Sequence, residues 1–125
     1  MSGTDFLLDT NIVWYLLKGD DRLESLLDGA GTIYLSVVTK VELLSTPGLH
    51  GKGELLVRQF PGDSRIVEFT PDVQDLTVLI RKKHKLKFAD ATIAATAAYL
   101  NVQLVTADKK FARLSNDLQV LLFEP

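Results

Sequence analysis

Four acidic residues, Asp9, Glu42, Asp90 and Asp108, are spaced along the chain so that they could form one site. Carboxylates that converge on one cleft repel one another, and some of them would have raised pKa values without a counter-charge. Two divalent cations would cancel four negative charges, and Mg²⁺ and Mn²⁺ prefer oxygen ligands. A pair of such ions about 4 Å apart can hold both the attacking and the leaving oxygen of a phosphoryl displacement. The set therefore favours phosphodiester hydrolysis.

Each acid also has an ordinary structural explanation. Asp9 and Asp108 could cap the helices that follow them, since Asp is a favoured N-cap. Glu42 could be a solvated charge on a helix. Asp90 is harder to explain in this way because it lies among apolar residues, 88–93, and a buried carboxylate without partners is costly. Capping stays open for the single residues, and a shared metal site is the interpretation for the set.

The hydrophobic pattern predicts strands and helices that alternate along the chain. The predicted strands are 6–8, 33–38, 65–69, 102–105 and 120–123. The predicted helices are 11–17, 21–27, 39–44, 54–60, 71–84, 89–100 and 109–114. This order indicates a mostly parallel sheet covered on both faces, with ligands at the carboxyl ends of the strands. Asp9, Glu42 and Asp108 would meet at that edge, and Asp90 can join them if its helix begins there.

Composition limits the class of protein. The length of 125 residues predicts one domain over 1–125, and 46% hydrophobic residues is typical of a folded domain. The absence of Cys excludes disulfides, thiolate zinc sites and cysteine nucleophiles. The net charge of −2 argues against binding nucleic acid by overall attraction, but an acidic enzyme can meet phosphates through metal ions. Short apolar runs and no signal-peptide pattern predict a cytoplasmic protein without a membrane segment.

One dense basic segment, residues 81–87 (RKKHKLK), leads into Asp90. It could follow an RNA backbone toward the metal site. It could equally be the solvated end of a helix, where lysines are favourable near the C-terminus. Both explanations stay open.

The sequence around the acids resembles the PIN-domain family, especially bacterial toxin ribonucleases of the VapC type. Four segments carry the resemblance: 6–12 (FLLDTNI), 36–43 (SVVTKVEL), 89–97 (ADATIAATA) and 104–111 (LVTADKKF). An Asp-Thr-Asn segment alone is a weak signal. The four segments in this order, over nearly the whole chain, are specific.

The resemblance implies a three-layer α/β/α sandwich with a mostly parallel five-stranded sheet, and an endoribonuclease that depends on Mg²⁺ or Mn²⁺. It implies that Asp9, Glu42 and Asp90 are the core metal ligands and that Asp108 is a fourth at a more variable position. It also implies three supporting residues, with Thr106 bracing Asp9 or the metal ligands, Asn11 holding the loop or a water, and Ser36 in a lesser role.

The same resemblance implies partners and products. A toxin of this type would cut RNA to leave a 5′-phosphate and a 3′-hydroxyl, form a homodimer, and pair with an antitoxin that places a basic residue near the acids. The chain departs from the family pattern at 81–87, where many members have a glycine turn, and at 44–48 (LSTPG). These departures concern substrate choice and partner surfaces rather than the acids.

Other functions compete with this interpretation. A haloacid-dehalogenase-like phosphatase needs a second aspartate two residues after the first, where this chain has Asn11. A receiver-like domain needs paired acids near the first strand, and Asp5 is poorly placed for that. A non-catalytic module with the same fold, and an RNA-processing nuclease that is not a toxin, both stay open.

Overall fold

The computed structural model describes residues 3–59, 62 and 64–125, with the backbone alone for Leu56. The strands are β1 (Phe6–Leu8), β2 (Ile33–Ser36), β3 (Arg65–Val67), β4 (Gln103–Thr106) and β5 (Val120–Leu122). The helices are α1 (Thr10–Leu17), α2 (Asp21–Leu27), α3 (Val37–Leu44), α4 (Gly51–Gln59), α5 (Pro71–His84) and α6 (Phe88–Leu100), followed by a 3₁₀ helix (Lys109–Leu114). The predicted end of the fourth helix at Phe60 lies outside the described residues.

The five strands form one parallel sheet in the order β3-β2-β1-β4-β5. Side chains alternate across β1, so Leu7 packs with α5 and α6 whereas Phe6 and Leu8 pack with α1, α2, α3 and α4. All three are buried. The helices therefore cover both faces of the sheet, and the predicted three-layer parallel α/β fold is confirmed.

Several predicted boundaries were wrong by a few residues. The second strand ends at Ser36 instead of Val38, because the Ser36 hydroxyl accepts a hydrogen bond from Val38 N (3.1 Å) and caps α3. The third strand ends at Val67, and Phe69 instead packs edge-on against Phe88. The fourth strand runs one residue further, to Thr106. The last predicted helix is a 3₁₀ helix.

The connection from α6 to β4 determines where α6 begins. Asn101 adopts the left-handed conformation (φ 55°) and its N–H bonds to Ala97 and Ala98 carbonyls, which ends the helix. Only Val102 separates Asn101 from β4. Because α6 ends beside the start of β4, its N-terminus lies toward the carboxyl edge of the sheet. Asp90, in the first turn of α6, is thereby brought to the same edge as the residue that follows β1.

Candidate active site

Asp9 follows β1 and is the most buried of the four acids, with 6% of its surface exposed. Its Oδ1 accepts a hydrogen bond from Thr10 N at 2.8 Å. Its Oδ2 accepts from Thr106 Oγ1 at 2.7 Å and from Asn11 Nδ2 at 3.2 Å. Asp9 is also the N-cap of α1. Capping and a place in the acidic cluster are therefore not alternatives for this residue.

The pKa of Asp9 shows that the acids interact. Burial raises this pKa above its ordinary value, and the negative charges of Asp90 and Glu42 raise it further. The hydrogen bonds from Thr106 and Thr10 act in the opposite direction without cancelling the increase. Residues from the first, second and third acidic segments thus lie close enough for their charges to act on one carboxylate.

Thr106 and Asn11 join the end of β1 to the end of β4. Thr106 is fully buried, and its hydroxyl donates to Asp9 and accepts from Asp108 N at 3.0 Å. Asn11 accepts from Ala107 N through its Oδ1 at 3.2 Å. The neighbouring strands support this connection, because Asp9 N donates to Val105 O at 2.9 Å. The orientation of Asp9 is therefore fixed from both strands.

Glu42 lies on α3 and is exposed. Its Oε1 is 2.7 Å from Thr10 Oγ1, which is also 3.2 Å from the buried Thr39 Oγ1. Thr10 and Thr39 were not singled out in the sequence, although Thr10 stands directly after Asp9 and Thr39 one turn before Glu42. The hydroxyl of Ser36 contacts Val38 N and caps the helix that carries Glu42.

Lys110 links the two remaining acids. Its Nζ lies 2.6 Å from Asp90 Oδ2 and 3.0 Å from Asp108 Oδ2. The hydrogen bonds to Asp90 and then to Asp108 raise the pKa of Lys110. Partial burial alone would raise the pKa of Asp108, but hydrogen bonds from Lys110 N and Nζ and the ammonium charge outweigh it and lower that pKa. Sequence reasoning missed Lys110, and its only sequence signal is its position two residues after an acid.

The four acids suit a hard divalent cation by their chemistry, because all of their donors are carboxylate oxygens. In the part of the chain that the structure describes, no three acidic or histidine side chains surround a single point closely enough to hold an ion. Lys110 engages Asp90 and Asp108, and Thr10 engages Glu42. Three of the four acids are therefore engaged by other side chains of this chain.

The basic segment 81–87 is divided between two environments. Lys83 Nζ and His84 Nε2 lie 2.9 Å and 2.7 Å from the Asp117 carboxylate, and the Arg81 guanidinium donates to Leu86 O at 3.3 Å. The side chains of Lys82, Lys85 and Lys87 are exposed, and Lys87 is the N-cap of α6. Part of the segment thus stabilises the end of α5, and part faces solvent near Asp90.

Comparison with known proteins identifies the family to which this fold belongs. The PIN domain profile matches residues 6–117. The chain belongs to the PIN-domain family, a family that implies nuclease activity. No curated protein sequence gave a significant match.

Solved structures show the same fold. A toxin–antitoxin complex from Klebsiella pneumoniae contains a chain that is 27% identical, with a TM-score of 0.80, over 95% of this chain and 98% of that one. FitAcB from Neisseria gonorrhoeae is 26% identical, with a TM-score of 0.70, over 93% and 96%. VapBC2 from Rickettsia felis, bound to a DNA fragment from its promoter, has a TM-score of 0.81 over 97% and 100%, and at 21% identity it shows the fold alone.

Proposed function

We propose that residues 1–125 form a single PIN-like nuclease domain that hydrolyses RNA phosphodiester bonds as a metal-dependent endoribonuclease. One observation carries this proposal: three acids meet at the carboxyl edge of the sheet, where Asp9 is buried, Glu42 contacts the adjacent Thr10 at 2.7 Å, and Asp90 lies in the first turn of α6. In parallel α/β sheets this edge is where ligands bind. The PIN-domain match over residues 6–117 supports the same conclusion.

We propose Mg²⁺ or Mn²⁺ as the metal, held by Asp9, Glu42 and Asp90, with Asp108 as the fourth acid of the site. When bound, the ion would polarise the phosphate and activate water for attack. The role of the chain's own residues is to orient the acids that would hold the ion. Thr106 and Asn11 hold Asp9 in position, the Thr106 hydroxyl favours its ionised form, and such outer contacts commonly tune metal affinity. Ser36 would act indirectly, because its hydroxyl caps α3, the helix that carries Glu42.

RNA is proposed as the substrate because a basic segment directly precedes Asp90 in the chain, in spite of the net charge of −2. Lys82, Lys85 and Lys87 are exposed in the segment that leads into Asp90. Phosphate contacts of this kind position a nucleic acid without reading its sequence. The lysines would hold the backbone while the acidic cluster acts on one phosphodiester.

We further propose that the chain is the toxin of a type II toxin–antitoxin pair, acts in the cytoplasm and forms a homodimer. The similar chain from Klebsiella pneumoniae is part of a toxin–antitoxin complex, which supports an antitoxin partner here. Large apolar side chains on the surface support protein contacts, since Val78 and Leu79 of α5 are 51% and 61% exposed and Val41 of α3 is 58% exposed. No helix in the described residues is long and apolar enough to cross a bilayer.

The proposed function is tested by incubating the purified chain with end-labelled single-stranded and hairpin RNAs. We expect cleavage with Mg²⁺ or Mn²⁺ and none with EDTA, and products that carry a 5′-phosphate and a 3′-hydroxyl. A parallel reaction with p-nitrophenyl phosphate tests for a phosphatase. Hydrolysis of that monoester without RNA cleavage would replace the proposal by a phosphatase, and Mn²⁺ binding without any hydrolysis would replace it by a binding module.

The raised pKa of Asp9 predicts how metal stabilisation depends on pH. Without metal, Asp9 contributes stability below its unfolded pKa near 3.8, and this contribution is lost as pH rises through the higher folded pKa. A cation binds the ionised form and offsets that loss. Millimolar Mn²⁺ is therefore expected to raise Tm more at about pH 7 than at about pH 4.

Thermal unfolding followed by circular dichroism measures this difference. Asp9→Asn is the comparison, because it removes the titrating carboxyl and should remove most of the pH-dependent part of the Mn²⁺ effect. Asp108 and Asp117 have lowered pKa values and act in the opposite direction in both proteins. Equal stabilisation by Mn²⁺ at both pH values in the wild-type chain would contradict the assignment of Asp9.

A further inference from the structure

The chain supplies one cation to its own acidic cluster. Lys110 Nζ lies 2.6 Å from an oxygen of Asp90 and 3.0 Å from an oxygen of Asp108, so one ammonium serves two carboxylates. Hydrogen bonds between charged groups are short, as these are, although solvent screens both pairs because 40% of the Lys110 side chain is exposed. A second metal ion, bridging the same two acids, would have to take the place of this ammonium.

Asp90 takes part in two groups of acids. Asp90 and Asp108 share Lys110. Asp90 also lies in the first turn of α6, at the same edge of the sheet as the buried Asp9, whose pKa its charge raises. Lys110 contacts Oδ2 of Asp90, which leaves Oδ1 of the same carboxylate for a different cation. A metal ion held by Asp9, Glu42 and Asp90 would therefore not need to displace Lys110 from Oδ2.

Lys110 is held in place by the element that carries it. Its backbone N–H donates to Asp108 Oδ1 at 3.0 Å, which caps the 3₁₀ helix. The next residue, Phe111, is fully buried in the core, and its ring centroid is 5.9 Å from Lys110 Nζ. These contacts fix the backbone of Lys110, and the two ion pairs hold its partly exposed ammonium beside both acids.

The charge of the cluster agrees with one metal ion. Lys110 reduces the charge of the four acids from −4 to −3, and one divalent cation brings it to −1. A second divalent cation would make the cluster positive with Lys110 still present, and like charges at these distances repel. Without Lys110 two divalent cations would neutralise the four acids, whereas with Lys110 the second cation would carry the charge from −1 to +1.

We propose that Lys110 takes the place of a second metal ion, so that this chain binds one divalent cation per site, between Asp9, Glu42 and Asp90. This inference rests on the proposed metal-dependent function. Lys110 is a positioning residue, because it acts through Asp90 and Asp108 and determines how many metal ions the acids bind.

The test is a Mn²⁺ titration of the full chain to saturation, with free Mn²⁺ measured by electron paramagnetic resonance. We expect one ion per chain for the wild type and two for Lys110→Met, whose unbranched apolar side chain leaves Asp90 and Asp108 without a counter-charge. Lys109→Met is the matched control, because it removes an exposed lysine from the same 3₁₀ helix. This control is expected to bind one ion. Lys110→Gln serves as a second variant, and circular dichroism checks that each variant is folded.

The outcomes separate the inference from the proposed function. Two ions in the wild type, or one ion in folded Lys110→Met and Lys110→Gln alike, would overturn the role of Lys110 and leave the metal-dependent function standing. A wild-type chain that binds no Mn²⁺ would contradict both. One ion in the wild type and two in the Lys110 variants would support both.

Discussion

Replacing Asp90 by Asn is expected to reduce metal-dependent RNA cleavage by at least about 100-fold, while the protein stays folded. Asp90 is shared by the two halves of the acidic cluster: its charge acts on Asp9, and its Oδ2 binds Lys110 at 2.6 Å. Asn keeps the shape of the side chain but removes its charge, so the metal site loses one carboxylate. Lys110 keeps Asp108 as a partner, and the lost ion pair is partly exposed, so the effect on stability is small.

Initial rates of cleavage of one labelled RNA, with Mn²⁺ and with EDTA, measure the effect of Asp90→Asn. Asp75→Asn is the matched control, because Asp75 is an exposed acid on α5. The control is expected to cleave as the wild type does. Cleavage by Asp90→Asn at the rate of the control would mean that Asp90 has no part in the reaction.

Thr106→Val is expected to weaken Mn²⁺ binding by about 10- to 100-fold and to lower the free energy of unfolding by about 1–3 kcal/mol. Val has the shape of Thr without the hydroxyl. The substitution leaves Asp9 Oδ2 without its 2.7 Å hydrogen bond and Asp108 N without its 3.0 Å acceptor. Because Thr106 is fully buried, water cannot readily replace these contacts.

Urea unfolding without metal and Mn²⁺ titration of the folded protein measure the two effects of Thr106→Val separately. Thr106→Ser keeps the hydroxyl and is expected to retain most of the metal affinity. A loss of stability with unchanged Mn²⁺ affinity would show that Thr106 only joins the strands. Weak Mn²⁺ binding by Thr106→Ser as well would point to the methyl group rather than to the hydrogen bond.

The arrangement of strands and helices could be predicted because it depends on patterns within short segments. The apolar run 6–8 and its alternation across the sheet need no knowledge of distant residues. The errors lie where a side chain competes with the pattern. Val37 and Val38 are β-branched, which favours a strand, but the Ser36 hydroxyl binds Val38 N and begins α3 there.

The site was predictable to the extent that charge and position determine it. Asp9 and Asp108 stand next to predicted strands, so their place at the sheet edge followed from topology. Lys110 could not be found in this way. Its contacts with Asp90 and Asp108 depend on the path of a flexible four-carbon side chain and on where α6 begins. From the sequence, the four acids are expected to need metal ions to balance their charge. That expectation does not include the positive charge of Lys110, which the structure places beside two of them.

The basic segment shows the same limit. In the sequence it is one block of charge, and both of its explanations assume that its members act together. Asp117, about thirty residues further along, engages Lys83 and His84 and thereby separates them from Lys85 and Lys87. No local sequence pattern predicts an ion pair with a residue that lies so far along the chain.

The hydrogen bonds that join Asp9 to the central strand β4 make one part of the acidic cluster rigid, whereas Glu42 is adjustable. Asp9 is bonded to Val105 and Thr106 in the middle of the sheet, where we expect amide hydrogens to exchange only through large-scale opening. Glu42 is an exposed side chain on a short helix and can move while the sheet stays intact. A partner that bound the surface of α3 could therefore move Glu42 and leave the buried Asp9 in place. Inhibition of the proposed nuclease activity by such a partner would then be reversible without unfolding.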